Sequence, residues 1–131
     1  IKILQLIGLF LTKSNHMVAV IFESWPQEIH QKSYEDMIAQ LRVELQKIKG
    51  FISIEKYVSA SHAGKVLSLS FFEDEDSISQ WRNLALHRLA QSQGRTQFYS
   101  DYRIRVATVI RDYSLTERMQ APSDSTQYHH S

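Results

Sequence analysis

Apolar and polar positions along the chain switch between a strand-like and a helix-like period. Residues 17–23 (MVAVIFE) are β-branched and aromatic with no breaker, which predicts a buried strand. A connection containing Pro26 follows. Then Tyr34, Met37, Ile38, Leu41, Leu45 and Ile48 recur on one helical stripe, and Gly50 stands where a glycine closing that helix is expected. Residues 51–58 (FISIEKYV) read as a second strand, 59–64 (SASHAG) as a loop, and 65–72 (KVLSLSFF) as a third strand. The acidic run 73–76 (EDED) suits the first turn of a second helix, because negative charge there favours the helix dipole. That helix is expected to reach about Ser92 and to stop near Gly94. Residues 103–113 (RIRVATVIRDY) form a last alternating strand.

The order is β-α-β-β-α-β, a ferredoxin-like α+β arrangement with one antiparallel sheet and both helices on one face. Parity assigns Val18, Val20, Phe22, Ile52, Ile54, Leu67, Leu69, Phe71, Ile104, Val106 and Ile110 to the helix side. The opposite parity carries Ala19, Ile21, Phe51, Tyr57, Val66, Phe72, Ala107 and Val109. So much apolar surface on an open sheet face calls for a cover. A second copy packed sheet against sheet is the simplest one, and the terminal segments are the alternative.

Length changes this picture little: 131 residues suit one domain. Domain boundaries are expected at Met17, which directly precedes the first strand, and near Tyr113. Residues 1–16 are then an N-terminal extension, either non-native or disordered; an export signal and an extra packed segment are the other readings. Its apolar run, Ile3–Leu11, is far shorter than the roughly 20 residues that span a bilayer. Residues 114–131 form a polar tail expected to be disordered.

Composition excludes several chemistries. The chain has no cysteine, so disulfides, thiolate metal sites and cysteine nucleophiles are out, and a reducing, cytoplasmic setting fits. A net charge of +1 gives no global reason to bind nucleic acid or an anionic membrane. No glycine-rich phosphate loop, nucleophile elbow or zinc-binding H-E-x-x-H occurs. His62 sits in a turn-forming loop, and the His129–His130 pair lies in the tail. Arg103, Arg105 and Arg111 are expected on one strand face, where they pair with glutamates across a dimer or bind an anion.

The second helix holds the candidate chemistry. Ile78, Trp81, Leu84, Ala85 and Leu89 form its apolar stripe. His87 lies about 120° of helix turn from Trp81, at the edge of that stripe. The two rings therefore either line one cavity from floor and rim or are ordinary packing residues.

The stretches 50–59 (GFISIEKYVS), 67–95 (LSLSFFEDEDSISQWRNLALHRLAQSQGR) and 101–113 (DYRIRVATVIRDY) together resemble the antibiotic biosynthesis monooxygenase family of dimeric α+β barrels. The resemblance spans residues 17–113 and implies a homodimer with a pocket between sheet and helices in each subunit. It implies O2-dependent oxidation of a small aromatic or quinone-like compound with no metal or flavin. Polyketide-oxidising relatives carry a Trp at Trp81, a Tyr near His87 and an Asn at Ser77. On that pattern His87 is the base, Trp81 a wall, and Ser77 or Asn83 a hydrogen-bond donor. Glu23 and Trp25 close the first strand: Glu23 either sits at the pocket mouth or is solvated, and Trp25 either gates the pocket or packs on the surface against a helix start. Haem-degrading relatives also have the Trp, but with an Asn where this chain has Glu23 and an iron-binding His near Gln91. Haem binding is therefore a weaker implication. A non-catalytic ligand-binding or stress-response dimer is the rival reading.

Overall fold

The computed structural model describes residues 16–91 and 98–125, with the backbone alone at 30 and 85–91. Residues 1–15, Gly94, His129 and His130 lie outside the described residues, as do the side chains of His87 and Gln91. The elements run β1 (Val18–Pro26), a 3-10 turn (Glu28–His30), α1 (Gln31–Leu45), β2 (Phe51–Val58), β3 (Val66–Phe72), α2 (Glu75–Gln91) and β4 (Tyr99–Thr108). The four strands form one antiparallel sheet in the order β2-β3-β1-β4. This is the expected ferredoxin-like topology.

Both helices pack on one side of the sheet. One core cluster joins Val18 and Val20 of β1, Phe72 of β3, Leu45 of α1 and Ile78 of α2. A second joins Met37 and Leu41 of α1 to Phe98, just ahead of β4. These are the apolar stripes of two amphipathic helices laid over alternating strand positions. No helix among the described residues is long and apolar enough to cross a membrane.

The register corrects the face assignment in two strands. Val18 pairs with Phe72 and Val20 with Ser70, so Phe72, Ser70 and Ser68 share the helix side with β1's core residues. Phe72 is fully buried there, while Leu67, Leu69 and Phe71 lie on the open face. The Leu-Ser-Leu-Ser alternation is misleading because the larger set points away from the helices, and small serines fill the side on which helices sit close. In β2 the pairing shifts between Phe51 and Ser53, so Phe51 packs against the core and Ile52 is exposed. A one-residue slip exchanges the two faces.

Other differences are at element ends. β4 begins at Tyr99, not 103, and ends at Thr108, leaving Ile110 exposed and Arg111 beyond the strand. α1 ends at Leu45, and turns continue to Gly50, whose φ of +95° serves the entry to β2 instead of the helix end. The segment expected to be a disordered tail carries local bonds as far as Ser125. The Ser114 amide donates to the Glu117 carbonyl, and Arg118 stacks over the Tyr113 ring. Short polar side chains that bond neighbouring backbone hold such turns.

Candidate functional site

The residues singled out in the sequence fall on two different sides of the sheet. Trp81 is on the helix side. It is half-buried and packs against both core clusters, so it links the middle of the sheet to the α1–Phe98 layer. The α2 backbone stays helical through Gln91, which carries His87 six residues beyond Trp81. Asn83 is exposed on the same helix.

Ser77 sits at the start of α2 and is buried. Its hydroxyl lies 2.7 Å from the Lys49 carbonyl and 2.8 Å from Asp74 Oδ1. A hydroxyl has one proton, so these two acceptors already engage it. The Ser77 amide also donates to Asp74 Oδ1 at 2.9 Å, which makes Asp74 the side-chain cap of α2. Those two bonds, from the Ser77 amide first and then its hydroxyl, hold the Asp74 carboxyl below its ordinary pKa. Ser77 thus anchors the helix that presents Trp81, and its donor is directed into the fold.

An aromatic cluster lies on the same side of the sheet, and its Tyr34 and Tyr99 pack against the Phe98 cluster as Trp81 does. Phe22 of β1 meets Tyr99 edge to face at 5.4 Å between centroids and Tyr102 at 5.8 Å. Tyr34 of α1 meets Tyr99 at 5.4 Å and Phe98 at 5.8 Å. Tyr99 and Tyr102 are three residues apart, yet both reach Phe22. A bulge explains this. Trp25 pairs with Asp101 but Pro26 pairs with Tyr99, so Ser100 is an extra residue in β4. Plain alternation would send Tyr99 to the open face beside Asp101; the bulge turns it toward the helices. The Ser100 hydroxyl donates to the Trp25 carbonyl at 3.1 Å, and the Gln27 amide donates to the Phe98 carbonyl at 2.8 Å, which fixes the kink. Burial foremost, then the neighbouring Tyr34 hydroxyl, pushes the Tyr99 phenol well above its ordinary pKa. Farther along the same face of β4, Ile104 and Val106 remain 53% and 47% exposed. The helices leave this edge of the sheet uncovered.

Glu23 and Trp25 are on the open face, away from Trp81. Glu23 pairs with Lys65 at 2.5 Å and with Arg105 across the β1–β4 ladder. The Lys65 bond, foremost, and the charges of Lys65 and Arg105 hold the Glu23 carboxyl below its ordinary pKa, against a smaller opposing effect of burial. The Lys65 ammonium also sits 5.3 Å from the Trp25 ring centroid. Glu23 and Lys65 border an open hollow of about 430 Å³ with Ile21, Tyr57, Val58 and Leu67. Glu23 therefore does not join Trp81 in one pocket; Phe22 and Ser24 are the residues at that end of β1 which share its side.

Sequence reasoning missed the aromatic cluster that Tyr34 and Tyr99 build on the helix side. Tyr34 was absorbed into a helix stripe, and Tyr99 lay ahead of the expected strand. The available signal was the density of rings in 98–102 (FYSDY), but the bulge that gathers them leaves no mark on the alternation.

Comparison with known proteins bears on the fold and the chemistry together. Residues 17–93, more than half of the chain, match the model of the antibiotic biosynthesis monooxygenase domain. A jasmonate monooxygenase ABM from Pyricularia oryzae is 45% identical over 93 residues, covering 71% of this chain and 43% of that protein. The chain thus spans about two fifths of the length of that relative. The uncharacterized protein YqjZ of Bacillus subtilis is 30% identical over 93 residues, covering 71% of this chain and 79% of YqjZ. The crystal structure of SnoaB, a cofactor-independent oxygenase from Streptomyces nogalater, superposes with a TM-score of 0.61 at 10% identity, over 78% of this chain and 99% of SnoaB. The β-α-β-β-α-β sheet, the helix bearing Trp81 and the domain match agree: the chain belongs to the antibiotic biosynthesis monooxygenase family.

Proposed function

We propose that the chain is an O2-dependent monooxygenase that oxidises a small, hydrophobic, electron-rich ring compound, a phenol or quinol that leaves as a quinone-like product, with no metal or flavin. The reaction space is the helix side of the sheet, between α2 and the β4 edge. The observation that carries this reading is Trp81, half-buried between both clusters on the side of the sheet that also holds the rings of Phe22, Tyr99 and Tyr102. Such a wall keeps water away from a reacting anion and presents flat faces to a ring. Without a cofactor the substrate itself must supply the reducing electrons, and it does so more readily once deprotonated. In this proposal His87 takes that proton, since an imidazole with a pKa near 6.5 is suited to base chemistry at neutral pH. Trp81 is the wall. Ser77 acts one step back, by fixing the start of α2, and Asn83 and Gln91 flank the outer helix.

A second copy covers the open sheet face in the same proposal. Ile21, Leu67, Leu69 and Phe71 stand there with Tyr57, around the Glu23–Lys65–Arg105 group. Glu23 and Trp25 then belong to the subunit contact instead of the reaction space.

The test is oxygen uptake by the purified protein with jasmonate, suggested by the relative named for it, and with a panel of phenols and quinols. His87→Ala is expected to lower turnover by about 10²-fold or more, the usual contribution of a general base. Unchanged turnover in that variant removes His87 from the mechanism.

A further inference from the structure

We infer that the apolar segment Ile3–Leu11, ahead of β1, docks on the uncovered helix-side row of β4 formed by Tyr102, Ile104 and Val106. The docking does not depend on the reaction proposed above, although the segment would then wall the outer side of the same space.

The row needs a cover. Tyr102, Ile104 and Val106 pair with Ser24, Phe22 and Val20, so they share the face on which the helices lie. Tyr102 and Ile104 are nonetheless more than half exposed, and Val106 nearly half. β4 is also an outer strand, with no further strand beyond it among the described residues. Proteins cover or blunt such edges, because an apolar outer strand invites pairing with other chains.

Three observations select Ile3–Leu11 as the occupant. The first is position. The Val109 amide donates to the Met17 carbonyl at 2.9 Å, and Val18 pairs with Thr108. The chain therefore enters β1 beside the end of β4, next to the Val106 end of the row. The polar stretch 12–16 (TKSNH) reaches up to about 17 Å at full extension, enough to turn back over the row. A segment tethered so close acts at a roughly millimolar effective concentration, so weak packing suffices to seat it. The second is pattern and size. On a helical period Lys2, Gln5 and Gly8 fall to one side, and Ile3, Leu4, Leu6, Ile7, Phe10 and Leu11 make one apolar stripe. Wound that way the segment is about 13 Å long, and the row from Tyr102 to Val106 also runs about 13 Å. The third is elimination. The other stretches outside the described residues, 92–97 (SQGRTQ) and 126–131 (TQYHHS), contain no leucine, isoleucine or valine. The C-terminal turns do not serve either, since Leu115 and Met119 there are almost fully exposed. A second copy is assigned above to the opposite face of the sheet.

The chain has no cysteine, so introduced thiols report cover site by site. Ile104→Cys and, as a reference on α1, Val43→Cys are made in the full chain, and their maleimide labelling rates are compared. Both positions are more than half exposed when the row is open. Docking predicts that Ile104→Cys reacts about tenfold more slowly than Val43→Cys, because a covered thiol reacts only from the open fraction. Adding Ile7→Asp or Leu4→Asp should bring it to the reference rate, and either one decides if the other does not give folded protein. Val106→Cys repeats the reading should Ile104→Cys not fold. Leu69→Cys, on the open face, should keep its own rate when the Asp substitutions are added. Equal rates for Ile104→Cys and Val43→Cys overturn the inference, as does protection that survives both Asp substitutions. Protection that disappears on dilution gives the cover to a second copy and overturns it too. So does an Asp substitution that speeds Leu69→Cys instead, which would put the segment on the open face.

Discussion

Gly50 and Ser77 show how single residues place the site. Gly50 has a φ of +95°, a region that costs an L-residue roughly 1–2 kcal/mol. A Cβ at Gly50 would stand 2.0 Å from Ser77 Oγ. That oxygen cannot swing aside freely, because it is held by the Lys49 carbonyl and the Asp74 carboxylate. Gly50→Ala therefore has to distort the turn and break a bond at the head of α2, at a further cost of about 1 kcal/mol. Urea unfolding of the variant should show a loss of about 2–3 kcal/mol, the sum of the two costs. A loss below about 0.5 kcal/mol, the level of a neutral surface change, would mean that the turn relaxes freely. Ser77 was legible as a polar residue one helical turn before Trp81, but not as an anchor. Its partner, the Lys49 carbonyl, is a backbone atom 28 positions away, and no spacing rule points to it.

At the scale of elements, the order of strands and helices was readable because each apolar run has one period and ends at a breaker. Facing was not. Strand β3 alternates cleanly, and Leu67, Leu69 and Phe71 form its larger apolar set, yet Phe72 is the residue buried under the helices. Periodicity reports that two faces differ; pairing decides which one meets the helices. The bulges at Phe51 and Ser100 sharpen the point, since each exchanges the faces of a strand within one residue. Only the second of them brings Tyr99 to the helix side. The Trp81–His87 spacing is legible in the sequence for the opposite reason. Both lie on one uninterrupted helix, where position follows from residue count alone.

The whole molecule has an asymmetry that one subunit does not resolve. Its helix side holds the core and an aromatic cluster, while its open face presents Ile21, Leu67, Leu69 and Phe71 around one carboxylate, Glu23, held by two cations, Lys65 and Arg105. Apolar surface of that kind favours a self-complementary partner, and the proposed two-fold dimer supplies one. Leu69→Lys would set two cations in the middle of that contact. Sedimentation velocity should show a dimeric wild type and a folded, monomeric variant; a monomeric wild type contradicts the proposed dimer.

The family membership, the sheet and the rings on Trp81's side of it come together in one claim, that the substrate is oxidised by O2 without a cofactor. The direct measurement is mass spectrometry of the product formed under 18O2 by metal-free, flavin-free protein, using the substrate panel given above. One labelled oxygen atom is expected in the product, with no change on adding a chelator. A product without label, or one that acquires it only when flavin or metal is added, contradicts cofactor-free oxidation by this chain.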